Sequence, residues 1–191
     1  MPHILVIDGH PDASRERFVH ALAQTYADAA AEAGHQVERI TVAQLDFPIL
    51  RSQADWKDGP LPVDIDHAQQ AILRADHLVV LYPLWLGDMP ALLKAFLEQI
   101  ARPRFAFRYR EHGFPEKLLR GRSARVIVTM GMPGLFYRLV YRAHSLKSLE
   151  RNILAFTGIG PVRHSLIGAV EDPQRRARWL ARVAALGRQG A

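Results

Sequence analysis

One stretch constrains the fold of this chain more than any other. It is an apolar run too short for a helix, broken by proline and resumed at helical spacing. Residues 77–99 read HLVVLYPLWLGDMPALLKAFLEQ. From His77 to Tyr82 the run has the length and β-branched content of a central strand. Pro83 ends it, and Asp88-Met89-Pro90 gives a second turn signal. Asp88 carries an N-cap side chain, and Pro90 suits a first turn whose N–H groups lack helical partners. From Ala91 onward, Leu92, Leu93, Phe96, Leu97 and Ile100 recur at helical spacing. Between the two prolines, Leu84, Trp85 and Leu86 place a large ring at the carboxyl end of a strand, where open parallel sheets hold their ligands. The other use of such a ring is packing under a neighbouring loop.

The rest of the chain repeats the alternation. His3–Asp8 (HILVID) is a strand, Gly9-His10-Pro11-Asp12-Ala13-Ser14 a turn, and Phe18, Leu22, Tyr26, Ala29, Ala30 and Ala33 the stripe of a helix expected from Ser14. Ser14 has a suitable cap side chain, and Arg17 three positions on leaves the capping box incomplete. Gly34 closes the helix and 36–41 forms the second strand. Residues 42–62 make a long irregular connection, read as a functional flap or as cover for a subunit partner. A helix follows over 64–73. After the flavour of strand already described at 77–82, further strands are expected at 125–129 and 160–165, and helices from Lys147 to Phe156 and after Glu171-Asp172-Pro173. The terminal residues 187–191 are expected to fray. This predicts one α/β domain over 1–191, a doubly wound three-layer sandwich with a five-stranded parallel sheet in the order 2-1-3-4-5.

The first turn and helix start present backbone N–H groups and a positive dipole end to an anion. This loop has neither the GxGxxG nor the GxxxxGK[ST] pattern. Neither H-E-x-x-H nor G-x-S-x-G occurs, which argues against a zinc site and a serine hydrolase. The absence of cysteine excludes disulfides and thiolate chemistry and is compatible with a cytoplasmic location. No window has the apolar length of a membrane-spanning helix, and the start reads as a strand rather than a secretory signal. Residues 1–100 hold 7 Lys/Arg against 14 Asp/Glu, and residues 101–191 hold 18 against 5. That basic second half suits nucleotide phosphates or an acidic partner surface. Its arginines are scattered among helices with no nucleic-acid module, so no nucleic acid is expected.

The segment Pro83, Leu84, Trp85, Gly87, Pro90, Ala91, Leu93 and Lys94 resembles the signature loop of the flavodoxin-like NAD(P)H:quinone oxidoreductase family. The resemblance implies a flavin stacked beside Trp85, with backbone N–H groups of Pro83–Gly87 reaching the ring. Leu86 stands where relatives often have a second aromatic. The first loop is similar too: His10 and Ser14 match the family histidine and helix-start hydroxyl at the flavin phosphate, followed by Arg15 and Glu16 as backbone donors. Without the resemblance, His10 reads equally as an exposed turn residue. Thr129, Met130 and Gly131 resemble the loop along the flavin's pyrimidine side, and Tyr137 the tyrosine that faces the substrate. Relatives with a histidine about six positions further on match Ala143 here, so the adjacent His144 is the candidate for proton transfer. Tyr137 and Tyr141 as plain packing residues is the alternative. The strip Phe105–Tyr109 resembles the family's extended segment, a hairpin, interface or lid.

The resemblance implies hydride transfer from NADH or NADPH to a flavin, FAD in first place and FMN in second, and on to a quinone or related electron-poor aromatic. It also implies a homodimer with active sites at the interface. The alternatives are an azo- or nitro-reductase, a regulatory subunit of a membrane transporter, and an electron-carrying flavodoxin.

Overall fold

Alternate residues of each central strand face opposite sides of the sheet, and both sides are apolar. The computed structural model describes residues 1–14 and 16–191. In chain order the strands are β1 (His3–Asp8), β2 (Gln36–Thr41), β3 (His77–Pro83), β4 (Phe107–Arg108), β5 (Glu116–Lys117), β6 (Ser123–Thr129) and β7 (Val162–Ile167). The helices are α1 (Phe18–Glu32), α2 (Gln53–Asp58), α3 (Val63–Arg74), α4 (Ala91–Ile100), α5 (Gly134–Leu139), α6 (His144–Ser148), α7 (Ala155–Thr157) and α8 (Pro173–Gln189). The sheet runs β2-β1-β3-β6-β7 with every pair parallel. Counting these five strands alone, that is the expected order 2-1-3-4-5. β4 and β5 form a separate antiparallel hairpin, which is where the 105–109 strip lies.

Ile4, Val6, Val79, Leu81 and Ile127 face α1 and α8. Leu5, Ile7, Leu78, Val80, Tyr82, Val126 and Val128 face α3, α4 and the helices after β6. Burial on both faces explains why β1, β3 and β6 lack polar alternation, whereas the edge strands β2 and β7 show it. Among the described residues no helix is long and apolar enough to cross a membrane.

Several boundaries differ from the sequence expectation, each for a local reason. α1 starts at Phe18, not at Ser14, because Asp12 Oδ1 takes the Ser14 N–H at 2.8 Å and holds the chain in a turn. α4 starts after Pro90, and Asp88 does not cap it; its backbone pairs with Trp85 instead. β7 begins at Val162, since Pro161 has no N–H to give the ladder and offers only its carbonyl, to the Ala124 N–H. The helix expected over 147–156 runs from α6 to α7 through a π-helical turn, Leu149–Leu154. The C-terminal end is helical through Gln189 and packed rather than frayed: Gly187 lies against α1 so closely that a Cβ there would stand 2.4 Å from the Tyr26 carbonyl oxygen. Arg125 Nε donates to the Ala191 carbonyl at 2.7 Å.

The long connection after β2 is tied to α4 from beneath. Gln99 is fully buried and donates from Nε2 to the Pro48 carbonyl at 2.7 Å. Arg102, also buried, donates to the Gln99 amide oxygen and to the carbonyls of Gly59 and Pro60. Buried polar groups are worth placing only when satisfied, and here they fix an otherwise irregular segment.

At the opposite end of the sheet His77 is buried, with Nδ1 2.8 Å from Ser123 Oγ and Nε2 without a partner. Burial, with Arg125 and Arg163 nearby, pushes its pKa down to about 4. The folded state therefore holds His77 neutral where the unfolded chain binds a proton, and stability is lost as pH falls from about 6.5 toward 4. His77→Gln removes this linkage. Urea unfolding at pH 7 and pH 5 is expected to show that the wild type loses about 2 kcal/mol more than the variant over that interval.

Candidate active site

Three loops follow β1, β3 and β6 at the carboxyl end of the sheet. In the first, Gly9 N–H donates to the Leu81 carbonyl at 2.8 Å. Its missing side chain leaves room for Leu93, which a Cβ would approach to 2.7 Å. His10 is buried rather than an exposed turn residue. Its N–H donates to Asp8 Oδ1 at 3.2 Å, and its Nδ1 accepts the Asp12 N–H at 3.1 Å. The ring proton therefore sits on Nε2, and burial, reinforced by the nearby His20, holds the pKa below the usual histidine value. The Asp12 carboxylate accepts from the Ser14 N–H and from Arg17 Nε at 2.7 Å, and these two donors keep its pKa below the usual range. Ser14 and Glu16 are exposed on this loop. The expected donor Arg15 lies outside the described residues.

The second loop is fastened to the third. Leu84 N–H donates to the Thr129 carbonyl at 2.7 Å, continuing the β3–β6 register one residue past Pro83. Trp85 and Asp88 exchange backbone hydrogen bonds of 2.8 and 2.9 Å, closing a tight turn. Its tip, Leu86 and Gly87, has φ of 49° and 83°. The Gly87 conformation is one that glycine adopts without strain, while the Leu86 side chain is pushed fully into the open. The Trp85 ring is half exposed and stands edge-on to His10, with centroids 6.0 Å apart. It thus borders open space instead of packing under a loop.

The third loop corrects two expectations. Met130 is buried and its N–H is used by the Ile167 carbonyl at 2.8 Å, so neither faces a ligand. Tyr137 is fully buried and does not face the open end of the sheet. Its hydroxyl lies 2.7 Å from Ser145 Oγ and accepts the Leu146 N–H at 3.2 Å, pinning α5 to α6. Thr129 is buried as well and contributes its carbonyl. Gly131 is exposed with nothing within 4 Å of where a Cβ would stand. Exposed His144 stacks on Tyr141, centroids 6.3 Å apart, and both rings flank the tip of the second loop at Gly87.

The backbone donors can now be counted. Leu84, Trp85 and Met130 give their N–H groups to the protein, and Pro83 has none. Among the described residues, Leu86, Gly87, Gly131 and Met132 have N–H groups with no acceptor. The site thus offers backbone donors without partners, a half-exposed indole and an imidazole whose pKa is held down, groups that suit a flat, acceptor-rich ring with an anionic tail. No group of three or more His, Asp or Glu among the described residues is arranged to hold a metal ion.

One residue of this site escaped the sequence reading. His20, on the first turn of α1, lies with Nδ1 2.5 Å from Asp8 Oδ2 and Nε2 2.8 Å from the Asp12 carbonyl. The only signal was an aspartate ending the first strand in an otherwise apolar run.

Tyr137→Phe is expected to lower the unfolding free energy by about 1–2 kcal/mol, because Ser145 and the Leu146 N–H lose a buried partner. Ser145→Ala should cost less than additively in the same background, as denaturant titration of the single and double variants will register.

Comparison with known proteins bears on the fold and family of the chain. A protein of Haemophilus influenzae named as an uncharacterized NAD(P)H oxidoreductase is 29% identical over 180 residues, 91% of this chain and 88% of that one. An FMN-dependent NADH:quinone oxidoreductase of Listeria innocua is 33% identical over 129 residues, 64% of this chain and 57% of the relative. Among solved structures, an NAD(P)H:quinone oxidoreductase from Methanothermobacter marburgensis superposes with a TM-score of 0.82 at 25% identity, covering 100% of this chain and 99% of that one. The model of the flavodoxin-like fold family matches residues 2–187, and the chain belongs to that family.

Proposed function

We propose that this protein is an NAD(P)H-dependent quinone reductase that works through a bound flavin. One observation carries the reading: His10, Trp85 and Thr129, from three separate loops, meet at one end of the sheet through the Trp85–His10 ring contact and the Leu84–Thr129 hydrogen bond. FMN is the flavin proposed. The sequence resemblance put FAD first, but the curated relative with a named flavin is FMN-dependent.

A bound flavin would supply the redox chemistry, hydride transfer between NADH or NADPH and a quinone or similar aromatic. The chain supplies the setting. The N–H groups of Leu86, Gly87, Gly131 and Met132, which have no acceptor in the protein, would be the donors available to stabilise negative charge on a bound reduced ring. Trp85 would form one wall beside a bound ring. His10, whose Nδ1 accepts the Asp12 N–H and so leaves a proton on Nε2, would donate to the anionic tail beside the loop that carries Ser14. His144, beside Gly87, is the proton-transfer candidate at the mouth, and Tyr141 rather than the buried Tyr137 stands next to it.

The purified protein is expected to show flavin absorption, to release FMN on denaturation, and to reduce a benzoquinone faster than an azo dye at matched NADH and NADPH concentrations. Well-folded protein that binds neither FMN nor FAD would overturn the assignment. Specific transporter binding with negligible turnover would favour the regulatory reading.

The active unit proposed is a homodimer. Leu86, Leu135, Phe136, Leu139 and Val140 are exposed around the site's mouth, a concentration of apolar surface that association would cover. Sedimentation should give a dimer for the wild type, and the pair Leu139→Glu with Val140→Glu should give a monomer with retained secondary structure.

A further inference from the structure

We infer that His20 is a positioning residue for the flavin phosphate, acting by neutralising the buried carboxylate of Asp8 at the base of the first loop. The inference rests on the flavin reading above and assigns a role to a pair that this reading does not use.

Asp8 is 1% exposed and His20 is largely covered. Both His20 ring nitrogens face oxygens, Asp8 Oδ2 at 2.5 Å and the Asp12 carbonyl at 2.8 Å. The two contacts are satisfied together when two protons are shared among the ring and the Asp8 carboxylate, one of them lying between Nδ1 and Oδ2. The pair is then a charge-assisted hydrogen bond of zero net charge. The other Asp8 oxygen accepts the His10 N–H, and Asp12, whose carbonyl holds His20, receives the Ser14 N–H on its own carboxylate. One imidazole thereby braces the loop at both its ends.

Electrostatics give the brace a chemical purpose. Among the described residues, the charged groups gathered here are Asp8, Asp12 and Arg17 on the loop, His20 and His10 beside them, exposed Glu16, and Arg39 from β2. Arg17 is occupied by Asp12. Without His20, Asp8 would be a buried, unpaired anion directly under a loop proposed to take a phosphate, and low local dielectric would strengthen the repulsion. The pair is also not a sealed core contact. Asp8 and His20 line a polar groove of about 740 Å³ together with Ala13, Gln24, Arg39 and Thr41, so the charge state of the pair is felt in open space next to the loop.

The test compares FMN with riboflavin, which has the same ring and no phosphate. Binding to deflavinated protein is followed by flavin fluorescence for wild type, His20→Ala, His20→Gln, Asp8→Asn and the Asp8→Asn/His20→Ala double variant. His20→Gln keeps a donor for Asp8 without the charge, and stands in should His20→Ala fail to fold. Loss of the charge is expected to weaken FMN about tenfold or more while riboflavin binding changes little. Asp8→Asn in the same background is expected to restore most of the FMN affinity. Equal FMN affinity in wild type and His20→Gln overturns the inference, as does parallel weakening of riboflavin, or a double variant no better than His20→Ala. Wild-type protein that binds neither flavin overturns the flavin reading itself, a result separable from these.

Discussion

The hydrogen bond from the Leu84 N–H to the Thr129 carbonyl is where the sheet becomes a site. β3 and β6 are paired through Pro83 and Thr129, and this one bond carries the pairing a residue further, into the loops. It fixes the height at which the Trp85 turn leaves the sheet. The turn is then closed by its own Trp85–Asp88 pair, and the indole it carries stands edge-on to His10. Each step depends on the previous one, and the first depends on a strand register set by apolar residues far from any ligand.

The same constraint explains which groups remain available. A loop end satisfies most of its backbone polar groups internally, because unsatisfied ones are costly once covered. Leu84, Trp85 and Met130 are used in that way, and the donors left over sit at the tips: Leu86, Gly87, Gly131 and Met132. The Leu86–Gly87 tip has a left-handed conformation, and its two N–H groups find no acceptor in the protein. A site made of tips is specific in shape and sparing in titratable groups.

What could be read from the sequence follows from this division. The sheet was legible because β1, β3 and β6 are buried on both faces, which writes itself as unbroken apolar runs bounded by Gly, Pro and Asp. The strand at 3–8 and the strand at 36–41 were placed to the residue. Trp85 and Gly87 were legible because a motif records loop shape. Helix starts were less so: Ser14 and Asp88 both look like caps, but the Asp12 carboxylate takes the Ser14 N–H and the Asp88 backbone is paired with that of Trp85. Tyr137 and Met130 were misjudged because sequence gives position along a loop but not the face of it, and both turn inward to close the core beneath α5. His20 was invisible since its partner Asp8 is twelve residues away across a turn, and a lone histidine on a helix has no local signature.

A site of backbone tips over a braced loop also divides the labour among side chains. The residues with the strongest sequence signal, Pro83, Leu84, Trp85 and Gly87, define shape; none is a proton donor or acceptor of the acid–base kind. Charge is handled on the other side, at the first loop, where Asp8 meets His20 and Asp12 meets Arg17 in compensated pairs. Compensation there matters more than at the protein surface, since Asp8 is buried and an unmatched buried carboxylate is costly. On the proposed flavin reading, the end of the site built from backbone tips could vary in side chain while its backbone is kept, whereas the first loop would tolerate a change in one charge only with a change in its partner. Acceptor preference would then fall to residues such as Leu86 and Tyr141 at the tips, and retention of a flavin to the pairs beneath the first loop.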